Sequence, residues 1–162
     1  MNWFLFWLFL HILAAVIAFG PIFVFPIVGT LVAQMPQHMR FATELNHRIE
    51  QRLVVPLALS MLVSGAGLVW TANINVFQTF FLLVGIVLYL AALAIAFTVL
   101  LPTTVQLVHL AEHAAPGVAS GPPPAEIMDL VRRNQMFGGA TMILFLVIIF
   151  LMIVQPGGIV LR

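Results

Sequence analysis

Apolar and polar positions divide this chain into four long hydrophobic stretches joined by short polar segments. The stretches run from Trp3 to Ala33, Leu53 to Trp70, Phe77 to Val108 and Phe137 to Val154. A hydrocarbon layer of ~30 Å is crossed by about 20 helical residues, so each stretch has roughly the length to span it. Inside hydrocarbon every backbone amide needs an internal partner, which selects helices over open strands. The pattern therefore predicts an all-α fold, an integral membrane four-helix bundle that forms one domain over residues 1–162. Its predicted spans are 3–33, 53–70, 77–108 and 132–154, the last opening on a polar lead-in. The spans differ in length and polarity, and no segment repeats another.

The first and third stretches, at about 30 residues or ~45 Å of helix, exceed what a bilayer requires and must tilt, kink or project. Gly20, Pro21, Pro26 and Gly29 predict a kink in the first. In the third, Pro102 is followed by Thr103, Thr104, Gln106, His109, Glu112 and His113, which predicts projection into water. Ala114 to Ala125, with three consecutive prolines from Pro122, predicts a loop, and Glu126 and Asp129 are expected in the first turn of the next helix. Phe41 to Arg52 mixes apolar and charged residues and is expected as an interfacial lead-in to the second span. Within it Arg48 or Arg52 is available to an acidic group, and Arg52 lies nearer the apolar stretch.

Composition supports the membrane assignment: 63% of residues are hydrophobic and 7% charged, against about a quarter charged in a soluble domain. The absence of cysteine excludes disulfides and iron–sulfur clusters. A net charge of +1 provides no basic face for nucleic acid, so the expected partner is the lipid bilayer. The first apolar run has no arginine or lysine before it and outlasts a secretory signal core, so it is expected to remain as a membrane helix. Arg40, Arg48 and Arg52 lie around the first connection and Arg132 and Arg133 flank the third, while only Arg162 falls on the opposite side. By the positive-inside rule both termini and the Thr71–Val76 turn face outward. Trp3, Trp7 and Trp70 then sit near the outer boundary as expected anchors, and Gly138, Gly139 and Ala140 are expected to permit close helix packing.

His11 is the only histidine or charged residue type well inside an apolar stretch. At helical offsets from it stand Trp7, Ala14, Ala15 and Ala18, and at comparable depth on the second span lie Ser64, Gly65 and Gly67. These small residues either leave a slot for a flat ligand beside the imidazole, which can ligate haem iron, or serve close helix contact around a histidine hydrogen-bonded to Ser64. No other span carries a histidine at this depth, so a second axial ligand would be Met152 or absent.

A second constellation is His109, Glu112 and His113, in the sequence HLAEH. Two histidines four residues apart share a helix face and can hold one metal ion, and the pattern matches the inverted zincin motif. It ends a membrane helix before a Pro-rich segment, where solvated polar residues are the ordinary outcome. His38 and His47 fall on the same side as further candidate ligands, and Glu126 or Asp129 could add an oxygen.

Three segments carry a resemblance. LHILAAVIAFGPIFVFP (10–26), EQRLVVPLALSMLVSGAGLVW (50–70) and RRNQMFGGATMILFLVIIFLMIVQPGG (132–158) resemble the first, second and last helices of a superfamily of small four-helix bacterial membrane proteins. That superfamily includes the membrane protoporphyrinogen oxidase, the copper-resistance D family and an uncharacterised integral membrane family, the last being the most similar. The resemblance implies haem b ligated by His11, with Arg52 as a supporting residue; Ser64 and Gly65, at the depth of His11 on the second span, are expected beside the cofactor. The oxidase also has a lysine and a histidine within its third helix, which Phe77 to Leu101 lacks, so its activity is not carried over. The expected protein is a multi-pass protein of the bacterial inner membrane, a b-type haem module in electron transfer or tetrapyrrole handling. Its rivals are an accessory subunit of a larger respiratory or photosynthetic complex, or homo-oligomer, and metal-ion binding or transport through His109 and His113. Whether the chain is an enzyme stays open at this point.

Overall fold

The computed structural model of the chain describes residues 2–113 and 125–156. Among the described residues the regular structure is helical, without strands, and four helical stretches are long and apolar enough to cross a membrane. The first is α1 (Trp3–Gln34), which carries Pro21 and Pro26 without interruption. Pro21 and Pro26 thus lie within one continuous helix.

A 3₁₀ turn, Pro36–His38, leads into α2 (Met39–Ile49), a π-helical turn at Glu50–Val54 and α3 (Val55–Ala72). The segment expected as an interfacial lead-in is thus a continuous extension of the second span, packed along α5. Asn73 ends α3 in the left-handed region at φ 51°, a conformation asparagine tolerates better than most residues. Its N–H and that of Ile74 close back on the carbonyls of Trp70 and Val69. The third span begins after a second 3₁₀ turn, Val76–Gln78, in which the Asn75 side chain accepts the Phe77 N–H. That cap delays the helix to Phe80, three residues beyond the apolar boundary. It then runs as α4 (Phe80–Ile95), a π turn at Ala96–Leu100 and α5 (Leu101–His113), continuing past the apolar stretch as projection required. The predicted loop at 114–125 falls outside the described residues except for Ala125, which opens α6 (Ala125–Val154). Glu126 is in its first turn; Asp129 sits one turn further on.

The two π turns share a sequence context. The N–H of Val55 bonds to the carbonyl of Glu50, and that of Leu101 to Ala96, each five residues back and each directly before a proline, Pro56 or Pro102. A proline inside a helix has no N–H to donate and its ring crowds the carbonyl four residues earlier. Widening the preceding turn to an i→i+5 bond relieves that contact without breaking the helix.

In the bundle α1 packs on α3, α4 on α6, and α2 on α5, with α1 also meeting α6. The core gathers Ala14, Ala18, Phe19, Met61, Tyr89, Ala92, Phe145 and Ile148. Ala14 and Ala18, one turn apart, let α3 approach closely, since contact between membrane helices depends on backbone proximity. Phe19 stacks on Phe145 with ring centroids 4.1 Å apart. The Tyr89 hydroxyl donates to the Ala58 carbonyl at 2.6 Å and ties α4 to α3. The terminal methyl of Met152 on α6 lies against Gly85 of α4, where a Cβ would collide with it. Gly138 and Gly139 have no neighbour within 4 Å of a Cβ position among the described residues, so the close packing expected of them does not occur there. Trp3 and Trp70 are exposed, as anchors should be.

Candidate functional site

His11 projects from α1 toward α3, where its Nδ1 stands 3.0 Å from Ser64 Oγ. Ser64 is buried, and its hydroxyl also reaches the carbonyls of Ser60 at 3.0 Å and Met61 at 3.3 Å. A hydroxyl has one proton to give. Donating it to a carbonyl of its own helix, a common arrangement for helical serine, leaves the Ser64 oxygen to accept from Nδ1–H. That arrangement puts the ring proton on Nδ1 and leaves Nε2 with a lone pair, whereas a Ser64 hydroxyl turned toward Nδ1 puts the ring proton on Nε2. Nε2 makes no hydrogen bond to the described residues, and the ring is partly exposed at the flank of the α1–α3 pair.

The small residues of α3 have a definite role here. Gly65 lies beneath the imidazole, with the place of a Cβ 3.5 Å from His11 Cε1. Gly67 lies beneath the indole of Trp7, whose ring occupies the space a Cβ would need. The slot expected between α1 and α3 is therefore filled by α1's own Trp7 and His11, and Trp7 is a packing residue, unlike the anchors Trp3 and Trp70. Of the residues assigned to the site from sequence, His11, Ser64 and Gly65 come together. Arg52 does not join them: it precedes Ser64 by 12 residues, about 18 Å along the helix. Met152, seated on Gly85, is not presented to His11 as a second ligand.

Arg52 belongs to a different feature at the opposite end of the bundle. A crevice of about 350 Å³ opens between α2 with its π turn and α5. Arg48, Arg52, His47 and His109 line it together with Glu44 and Gln51, and Val105 and Val108 form its apolar wall. Arg48 Nε donates to Glu44 Oε1 at 2.6 Å, one helical turn away. His47 Nδ1 is buried with no hydrogen-bond partner among the described residues. A recess of about 210 Å³ beside it adds Arg40 to the same face. Glu50, in the π turn, faces Thr104 of the third span, whose hydroxyl donates to the Leu100 carbonyl at 3.0 Å.

The HLAEH constellation divides between the two halves of this picture. His109 lines the crevice; the side chains of Glu112 and His113 lie outside those described. Among the described residues no three His, Asp or Glu side chains cluster closely enough to hold a metal ion. The crevice walls, the Glu50–Thr104 contact and the Tyr89–Ala58 bond had no local sequence signal beyond the prolines next to the π turns.

The chain matches the family described as Predicted integral membrane protein (DUF2269) over residues 5–156, and it belongs to that family. No curated protein and no solved structure matches it.

Proposed function

We propose that this member of the DUF2269 family is a haem-binding membrane module in which Nε2 of His11 is an axial ligand of a b-type haem. One observation carries the proposal: a partly exposed imidazole held by Ser64 through Nδ1, with no hydrogen bond to Nε2 from the described residues. A metal-ligating histidine characteristically gives its second ring N–H to a fixed acceptor, which sets the tautomer and raises the basicity of the ligating nitrogen. The interior between α1 and α3 does not fit a macrocycle, because Trp7 and His11 rest on the glycines of α3. The proposed seat of the macrocycle is the outer flank of α1, where His11 is partly exposed and the neighbouring helix positions are apolar. Bound there, haem would supply one-electron chemistry or be carried as a tetrapyrrole. The resemblance to the superfamily containing the membrane protoporphyrinogen oxidase supports this ligand role for His11.

The same Nε2 favours a second reading, an accessory subunit of a larger membrane complex. A polar ring atom within hydrocarbon is costly without a partner, and a neighbouring subunit's donor would satisfy it as iron would. Under either reading the arginine-bearing end lies in the cytoplasm by the positive-inside rule, both termini face outward, and the chain resides in a bacterial inner membrane. A reduced-minus-oxidised spectrum of the protein purified after haem-sufficient expression separates the two. A b-type signal lost in His11→Ala supports the haem module. A spectrum without such a signal, together with comigration in a larger species on native gels, leaves the subunit reading in its place.

A further inference from the structure

The arginine-bearing crevice is remote from His11 and has chemistry of its own. We propose that it binds the anionic phosphate of a membrane lipid headgroup, with Arg52 and His47 as donors and the Val105–Val108 wall receiving the start of an acyl chain. Four features point to this ligand. His47 Nδ1 is buried without a partner among the described residues, and a buried polar atom left unpaired is costly. Arg52 is exposed and has no ion pair among the described residues. The one carboxylate in the lining, Glu44, is held by Arg48, so it opposes an incoming anion less than a free carboxylate would. A divalent cation would instead meet the guanidinium groups of Arg48 and Arg52, which excludes it by repulsion.

Position favours a lipid over a free anion. Arg52 directly precedes the apolar stretch that begins at Leu53, so its guanidinium stands at the level where headgroups meet hydrocarbon. The cavity has a polar half and an apolar wall, whereas inorganic phosphate would use only the first. Basic pockets between membrane helices on the cytoplasmic side suit anionic headgroups. The two π turns lie on the two spans that form the crevice, and such turns recur at functional sites.

The test is native mass spectrometry of the full chain in detergent, titrated separately with phosphatidylglycerol, phosphatidylcholine and inorganic phosphate. The wild type should bind phosphatidylglycerol about tenfold more tightly than zwitterionic phosphatidylcholine, the worth of one charge-assisted hydrogen bond. Arg52→Gln should abolish that preference, while Arg133→Gln, which removes the same charge outside the crevice, should keep it. His47→Leu removes the unpartnered nitrogen without creating a new polar group, and it should lose the preference even if Arg52→Gln proves too unstable to purify. Equal binding of the two lipids by the wild type would overturn the proposal. So would equal losses in Arg52→Gln and Arg133→Gln, which indicate diffuse attraction to basic residues. Displacement of phosphatidylglycerol by inorganic phosphate at equal concentration would overturn the lipid assignment in favour of a free-anion site.

Discussion

The indole of Trp7 occupies the space that a Cβ on residue 67 would fill. Gly67 is therefore required by a ring on the facing helix and not by its own backbone conformation. Gly67→Ala should destabilise the bundle by about 1–3 kcal/mol through overpacking. Gly20 meets nothing within 4 Å among the described residues, so Gly20→Ala should be neutral or stabilise by up to ~1 kcal/mol through helix propensity. Reversible unfolding in mixed detergent micelles compares the two, and equal effects would contradict the assigned Trp7 contact.

Gly85 and Met152 form a related pair, but with a flexible partner. The thioether can rotate aside, so Gly85→Ala should cost less than Gly67→Ala despite a comparable clash. Gly85→Leu should destabilise by about 1–3 kcal/mol, and adding Met152→Ala should recover part of the loss. A double-mutant cycle measures the coupling, which should exceed ~0.5 kcal/mol for residues in contact.

Tyr89→Phe removes the bond to the Ala58 carbonyl. Hydrogen bonds between membrane helices average about 0.6 kcal/mol by double-mutant cycles, and a loss of ~0.5–1.5 kcal/mol is expected here. The Ala58 carbonyl keeps its place in the α3 ladder, so helicity by circular dichroism should not change.

Ser64→Ala tests how His11 is held. If Nε2 ligates haem, loss of the orienting contact should lower haem affinity by about 10–100-fold, the usual range for such a partner. Absorbance titration with haemin measures this, and Ser64→Thr, which keeps the hydroxyl, should retain most of the affinity. A helix contact of purely structural kind would lower stability without moving the spectrum.

Hydropathy identified all four spans because lipid imposes one composition on every outward face, whatever the internal contacts. Trp3 and Trp70 were legible for the same reason, while Trp7 was not, since its fate depends on a glycine on another helix. The pairing of His11 with Ser64 and Gly65 could be anticipated because a buried imidazole at one depth needs a polar neighbour at that depth. Placing Arg52 beside them rested on family resemblance and not on depth, and helical rise alone separates the two. The start of α6 was legible from the Pro-rich segment that ends at Ala125 and from Glu126 just after it, although hydropathy alone begins that span later because the first three turns are polar. Of the crevice only its basic character was legible, from Arg48, Arg52 and His47; its walls arise where α2 meets α5, and no local pattern encodes that meeting.

The paired π turns set the azimuth of everything before them on one span and after them on the other. Each inserts one residue beyond the regular winding, which rotates the adjoining segment by about 100°. In the second span this offset decides where α2 points His47 and Arg48 relative to the lipid-facing stripe of α3. The prolines at 56 and 102 thus act on side chains several residues away, and the winding defects they enforce allow two phases of one helix to serve hydrocarbon at one level and a charged ligand at another.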